Sequence, residues 1–455
     1  MQESNPGRTQ GAATVLASLQ WIAFTLANVL TVPVVLGQAF GMSPQNTATY
    51  LDQTLIACGI IGILQVLLGH KYPIIEGPAG TWWGVTVVLV QMTKETGGSL
   101  PLLLRQLEWG LLAAGVVAIL LAVCGLLGWI RRLFTPIVTG TFMLLLSLQL
   151  SRSMVAGILG IGSQPGGDVI DVKVAVLAIL LIAFTVWLMV KGRGLIKSLA
   201  VLIGLAVGWA VFAVFGLAPS PQSVPGPVVK LPALFPWGPP DFHAGIVVTC
   251  AITMLVLMSN LITSVQVMGN AMKEQPEDAK FVRGTLMTGV GTAISGAAGS
   301  VGLIPLSTAA SLVALTGIRD RLPFLISSIV IAVLGMVPSV GQLVAAMPAP
   351  VGYAVMFAIY GQLLGFGLQD FKRLALNQRD VFVVGIAVLS GVGIFFVPST
   401  AWRTLPPMLA YLLDNGLIVG VALVVILEYL VFRKRDGAGL AEPESDAGAG
   451  GDVGA

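Results

Sequence analysis

Glu76 sits in Tyr72–Gly84, YPIIEGPAGTWWG, within a chain that is otherwise almost continuous apolar helix. A carboxylate at membrane depth is costly and by default functional, as a substrate contact or a proton carrier. The bland alternative is a structural hydrogen bond to the loosened backbone around it. Glu76 reads as the one carboxylate at mid-membrane depth. Pro73, Gly77, Pro78 and Gly80 block a regular helix here, so Tyr72 to Glu76 can run extended with N–H and C=O groups facing sideways. A second interruption, GSVGLIPLSTAAS, covers Gly299–Ser311. Breaks at corresponding places in two halves point to a transporter's binding site. Half-helices starting near Ala79 and Leu306 would aim positive dipole ends at it. Gly80, Thr81, Ser307 and Thr308 lie at those starts and are candidate substrate contacts. Trp82 and Trp83 either offer flat faces to a planar substrate or pack as core or interfacial anchors; both readings stand.

A further polar set lies in MSNLITSVQ, Met258–Gln266. Ser259 and Thr263 are four apart and share a helix face, with Asn260 and Gln266 in the same run. In lipid such side chains line a cavity or bond a neighbouring helix, and the sequence leaves both open. Glu108 and Asp414 fall near helix ends and Glu428 lies close to Arg433, so a solvated or paired surface role is expected for all three. Cys58, Cys124 and Cys250 fall in apolar runs and read as small buried hydrophobes. The two histidines, His70 and His243, belong to no Cys/His cluster, so no metal, haem or other cofactor is expected. There is no nucleophile–base pair, HExxH or Walker motif to suggest an enzyme.

These residues need a membrane scaffold. The 455-residue chain is 56% hydrophobic and 10% charged, against about 25% charged in soluble domains, and its mean hydropathy is +0.92. A crossing helix needs about 20 apolar residues. Runs near 15–36, 47–69, 106–129, 134–151, 172–190, 196–216, 245–267, 281–298, 322–337, 349–367, 381–397 and 408–431 qualify or nearly so. The short stretches 79–92 and 306–316, each with an extended piece before it, bring the expected crossings to fourteen. With both termini inside, all but six of the 24 Lys and Arg residues (Lys94, Arg105, Arg152, Lys173, Lys230 and Arg403) fall on the cytoplasmic side. The basic residues thus follow membrane topology and give no support to nucleic-acid binding. Pro73 follows the start of the first run by 58 residues, and Leu303 follows the start of the eighth by the same distance. Seven crossings per half is odd, so the halves must be inverted. Residues 1–12 read as a cytoplasmic tail without signal-peptide features, 13–432 as the transporter domain and 433–455 as a disordered cytoplasmic tail.

The chain resembles the nucleobase–ascorbate transporter family, or nucleobase:cation symporter-2. The resemblance covers about residues 14–432. It rests on the topology, on YPIIEGPAG before the third crossing and on ISGAAGS (Ile294–Ser300) leading into the tenth. It implies an all-α polytopic membrane protein, a 7+7 inverted repeat with short strands in the broken third and tenth segments. It implies a core (about 13–129 and 245–337), a gate (about 134–216 and 349–432) and a possible homodimer in the plasma or inner membrane. Substrate, a nucleobase such as a purine, xanthine or uracil, would bind between the broken segments beside the eighth helix. Transport would be coupled to protons or sodium ions. The family's glutamate and histidine in the eighth helix fall at Ser259 and Thr263. Its acid or Gln, Asn, Gly and Thr in the tenth fall at Thr308, Ala309, Ser311 and Thr316, where only the last agrees. Glu76 is therefore expected to take over part of the missing carboxylate role, as substrate contact and proton carrier. A transporter of carboxylates or inorganic anions on the same architecture is the alternative, since two positive half-helix ends suit an anion.

Overall fold

A computed structural model describes residues 6–128, 135–161, 169–218, 228–372, 377–402, 404–405, 409 and 413–432. The expected tail 433–455 lies outside them. Mostly helical, the fold is α1 (Pro6–Val29), α2 (Thr31–Ala39), α3 (Pro44–Leu67), β1 (Glu76–Pro78), α4 (Gly80–Glu95), α5 (Leu100–Val123), α6 (Pro136–Ile158), α7 (Val172–Lys191), α8 (Leu195–Ser198) and α9 (Ala200–Val214). After a linker come α10 (Ala244–Met272), α11 (Asp278–Ala297), β2 (Leu303–Pro305), α12 (Ala309–Thr316), α13 (Leu322–Gly335), α14 (Pro338–Ala345), α15 (Ala349–Lys372), α16 (Gln378–Ile394) and α17 (Gly416–Ile426), with a π-helical end, Leu427–Val431.

Local chemistry sets many of these boundaries. Ser43, Ser99, His243, Asn377 and Asn415 each accept a backbone N–H in the first turn of the helix they open. Proline occupies the first turn of α3, α5, α6, α13 and α14, where its missing N–H costs nothing. The first helix starts at Pro6 for the same reason, inside the stretch expected to be a tail. Its run is not continuous: α1 ends at Val29, the residue whose carbonyl the ring of Pro33 would meet. Pro338 likewise bends α13 into α14 by 80°.

Among the described residues seven helices are long and apolar enough to cross a membrane, or eight if the α13–α14 pair is one span. Two sets of helices pack mainly among themselves. Helices α1, α3, α5, α10, α11, α13 and α14 form one set, in which α1 and α3 pack against β1 and α10 and α11 against β2, while α6, α7, α9, α15, α16 and α17 form the other set. The α5–α11 crossing is backbone against backbone. A Cβ at Gly115 would lie 2.5 Å from the Gly289 carbonyl oxygen, and one at Gly289 would lie 2.7 Å from the Gly115 oxygen.

The structure corrects three sequence readings. Cys124 is exposed, because α5 stops one residue before it, while Cys58 and Cys250 are buried. Glu108 is not a surface residue, because the linker folds over its end of α5: Arg105 Nε donates to the Pro239 carbonyl at 2.7 Å and Gln106 to Asp241 at 3.1 Å. Glu428 is buried and paired with Arg379 at 2.8 Å; its expected neighbour Arg433 lies outside the described residues. Arg379 also pairs with buried Asp380 at 2.7 Å.

Candidate functional site

The two interruptions meet. Strand β1 pairs antiparallel with β2, with Glu76 opposite Pro305, Gly77 opposite Ile304 and Pro78 opposite Leu303. The Leu306 N–H extends the ladder to the Ile75 carbonyl at 2.9 Å. Every residue of both strands is buried. Non-helical backbone at this depth survives because each segment satisfies part of the other. A left-handed residue precedes each strand: Lys71 at φ +59° and Gly299 at φ +58°. For a non-glycine residue that conformation costs about 1–2 kcal/mol, so Lys71 marks a turn held by its surroundings.

That turn places His70. The chain leaves α3 and His70 Nδ1 accepts the Tyr72 N–H at 3.0 Å. The neutral ring therefore carries its proton on Nε2. Nε2 lies 3.6 Å from Glu76 Oε1, and both side chains are fully buried. Neither carboxylate oxygen of Glu76 has a hydrogen-bond partner in the protein, and neither does His70 Nε2. Gln65 braces this region, donating to the Gly284 carbonyl at 3.1 Å and to Thr288 at 2.9 Å. At the same end, Lys280 pairs with Glu274 at 2.7 Å and lies 3.9 Å above the Tyr72 ring. Hydrogen bonds from Lys280 and Tyr72 hold the Glu274 carboxyl below its ordinary value.

Helix α4 starts at Gly80 from an extended Ala79, and α12 starts at Ala309 after a turn at Ser307–Thr308; neither has a side-chain cap. At α4 the uncapped N-terminal N–H groups are ready donors to an acceptor-bearing ligand, whereas at α12 the Ala309 and Ala310 N–H groups donate to the Leu306 and Ser307 carbonyls at 3.2 and 3.1 Å. Thr308 is exposed and its hydroxyl lies 3.4 Å from Asn28 Oδ1 on α1. On α10, Ser264 donates to the Pro305 carbonyl at 2.9 Å and contacts Asn260 Oδ1 at 3.2 Å. Helix α10 packs against both β2 and α12. Thus Asn260, Thr308 and the two helix starts belong to one neighbourhood. Ser259 and Thr263 return their hydroxyls to their own helix, at the Val256 and Ser259 carbonyls; Ser259 is half-buried and Thr263 exposed. Thr81 is buried, while Gly80 and Ser307 are half-buried.

The tryptophans pack inward. Trp82 covers Gly302, where a Cβ would lie 2.6 Å from the indole nitrogen. Trp83 meets Tyr360 edge-on at 4.8 Å between centroids. Tyr360, on α15, also donates to the Gly80 carbonyl at 2.7 Å, which ties the α4 start to the second helix set. Replacing Tyr360 with Phe is expected to cost about 0.5–1.5 kcal/mol, measured as a lower Tm of the purified protein.

His70, expected only to lie outside any metal cluster, and Asn28 and Tyr360, for which the sequence raised no expectation, all belong to this neighbourhood. His70 had one legible signal, a titratable ring six residues before the intramembrane acid. Asn28 had another, an amide inside the first apolar run. Tyr360 had none, because its partner is a backbone carbonyl nearly three hundred positions away. Among the described residues no three His, Cys, Asp or Glu side chains gather in a way that could hold a metal ion.

The xanthine–uracil permease profile, described as a permease family, matches residues 12–400. The chain belongs to this family. YwdJ of Bacillus subtilis, provisionally named a purine permease, is 34% identical over 438 residues, covering 95% of this chain and 99% of its own. The xanthine permease of the same organism is 24% identical over 435 residues, with 92% and 94% covered. Among solved structures, the transmembrane domain of a cyanobacterial bicarbonate transporter, BicA, aligns with a TM-score of 0.62 at 18% identity, over 90% of this chain and 97% of that one. That likeness shows a shared transporter fold. The protein is an integral membrane permease and not an enzyme.

Proposed function

We propose that this permease carries nucleobases, of the purine and xanthine class or uracil, by proton-coupled alternating access around the paired strands. The observation that carries the reading is the buried β1–β2 pair with uncapped helix starts at both ends. The base's carbonyl oxygens and ring nitrogens would accept from backbone N–H groups at Gly80 and Thr81, since those of Ala309 and Ala310 turn back to the Leu306 and Ser307 carbonyls. Its ring N–H groups would be met by Asn260, Ser259, Ser307 and Thr308. Names of relatives that match nearly the whole chain support the substrate class.

Glu76 is the proposed proton carrier. It has no cationic partner, and the ring facing it offers one N–H. An unpaired buried charge is costly, so a proton arriving at the carboxylate changes the energetics of this centre more than any surface titration would. Fourteen crossings in inverted halves, with both termini cytoplasmic, are the topology we propose. The core (about 13–129 and 245–337) would rock against the gate (about 134–216 and 349–432), and the Tyr360–Gly80 bond spans that boundary.

The BicA likeness, at 18% identity, bears on fold and not on cargo. Thermal stabilisation separates the readings. Xanthine, guanine or uracil at a hundredfold excess over its Kd is expected to add about 2.7 kcal/mol, read as a rise in Tm, while bicarbonate and small carboxylates add nothing. A rise with bicarbonate and none with any base would overturn the nucleobase reading in favour of an anion.

A further inference from the structure

Outside the Glu76 centre lies a second group of buried polar atoms. Glu108, on α5, is 2% exposed, and neither of its carboxylate oxygens has a hydrogen-bond partner in the protein. It borders a small cavity of about 20 Å³, lined also by Tyr50, Trp82, Thr86, Trp237 and Ser300. A cavity of that size holds one water, which needs at least two polar partners. Trp82 shares the lining of this cavity, and its indole Nε1 is likewise buried without a partner. Its indole edge lies over Gly302, which also lines the cavity. A metal cation would leave the indole N–H unsatisfied. A water accepts from Trp82 and donates to Glu108, so it answers both.

We propose that Glu108, Trp82 and this cavity form a second proton-binding site, in which one ordered water bridges the indole N–H and the carboxyl group. A hydronium ion entering there gives its proton to the Glu108 carboxylate, leaving the neutral acid and a neutral water; release runs the same transfer backwards. The groups acting on Glu108 are few. Arg105 lies one turn away on α5, and the Trp237 backbone amide lies near the carboxyl from the linker without reaching hydrogen-bond geometry. Tyr50 shares the cavity from α3. Asp241 is engaged with Gln106, and His243 caps α10. Cys250 of α10 lies against Gly110. Helices α4 and α11 bring no ionisable side chain to the cavity. Because Trp82 sits in the first turn of α4, protonation of Glu108 acts on the half-helix that begins at Gly80.

Infrared difference spectra of the full chain in bilayers, taken between acidic and neutral pH without substrate, test this. The wild type is expected to show a carboxylic-acid carbonyl band that E108Q loses and E76Q keeps. W82F, which removes the N–H and keeps the ring, shifts that band in frequency. Size-exclusion profiles establish that each variant is folded. If E108Q does not fold, the W82F shift alone decides. An unchanged band set in E108Q, or an unshifted one in W82F, overturns the proposal. The readout uses no substrate, so it stands or falls apart from the nucleobase reading.

Discussion

Glu76→Gln is expected to lower proton-driven uptake at least roughly tenfold, equivalent to about 1.4 kcal/mol, and to leave the remainder insensitive to pH. The amide keeps the volume and the hydrogen-bonding capacity of the acid but cannot take up a proton. It also removes a buried carboxylate whose oxygens have no partner in the protein, so folding should not suffer: an unpaired buried charge is costly, and the amide carries none. The Tm of the variant is therefore expected to equal or exceed that of the wild type. Initial uptake rates across a range of external pH, together with Tm, check both halves. Wild-type uptake with an unchanged pH response would show that Glu76 is structural.

Gly115→Leu is expected to have the largest effect on stability. Helices α5 and α11 touch through their backbones at Gly115 and Gly289, and even the first carbon of a side chain would fall 2.5 Å from a carbonyl oxygen and 2.9 Å from the Ala293 nitrogen. No flexible side chain is there to move aside, so the helices must part. Overpacking typically costs about 1–3 kcal/mol, and a clash with backbone belongs at or beyond the upper end. The expected outcome is loss of monodisperse protein after extraction, or a sharply lower Tm. Gly128→Leu, where nothing crowds an added Cβ within 4 Å, is the matched control. Equal stability of the two variants would show that the crossing is looser than described.

Much of this architecture was legible because proline and glycine act locally. Pro73, Pro78 and Pro305 cannot sit in regular helix, so the broken segments announce themselves whatever surrounds them. The intramembrane position of Glu76 was legible from the apolar runs on either side. Pairing of the breaks followed from the matched spacing of the two halves. Other features depend on contacts that no local pattern encodes. Glu108 looked superficial because it lies near a helix end, yet the direction of its side chain and the linker folded over it decide its burial. His70 reaches Glu76 only because Lys71 turns left-handed, a conformation that a lysine does not advertise. Trp82 and Trp83 fit a planar ligand or a core equally well by composition; the close approach of Gly302 to Trp82 and the edge contact with Tyr360 settle their packing. Ser259 and Thr263 share a face as their spacing requires, but both hydroxyls bond their own helix.

The central claim is that nucleobases pass through the site at the paired strands, driven by protons. Uptake of radiolabelled xanthine, guanine and uracil into proteoliposomes, with an acidic exterior and with the gradient collapsed by a protonophore, tests it most directly. The account predicts accumulation of at least one base that disappears with the gradient. Entry of bicarbonate with no base taken up above the level of empty liposomes would contradict it.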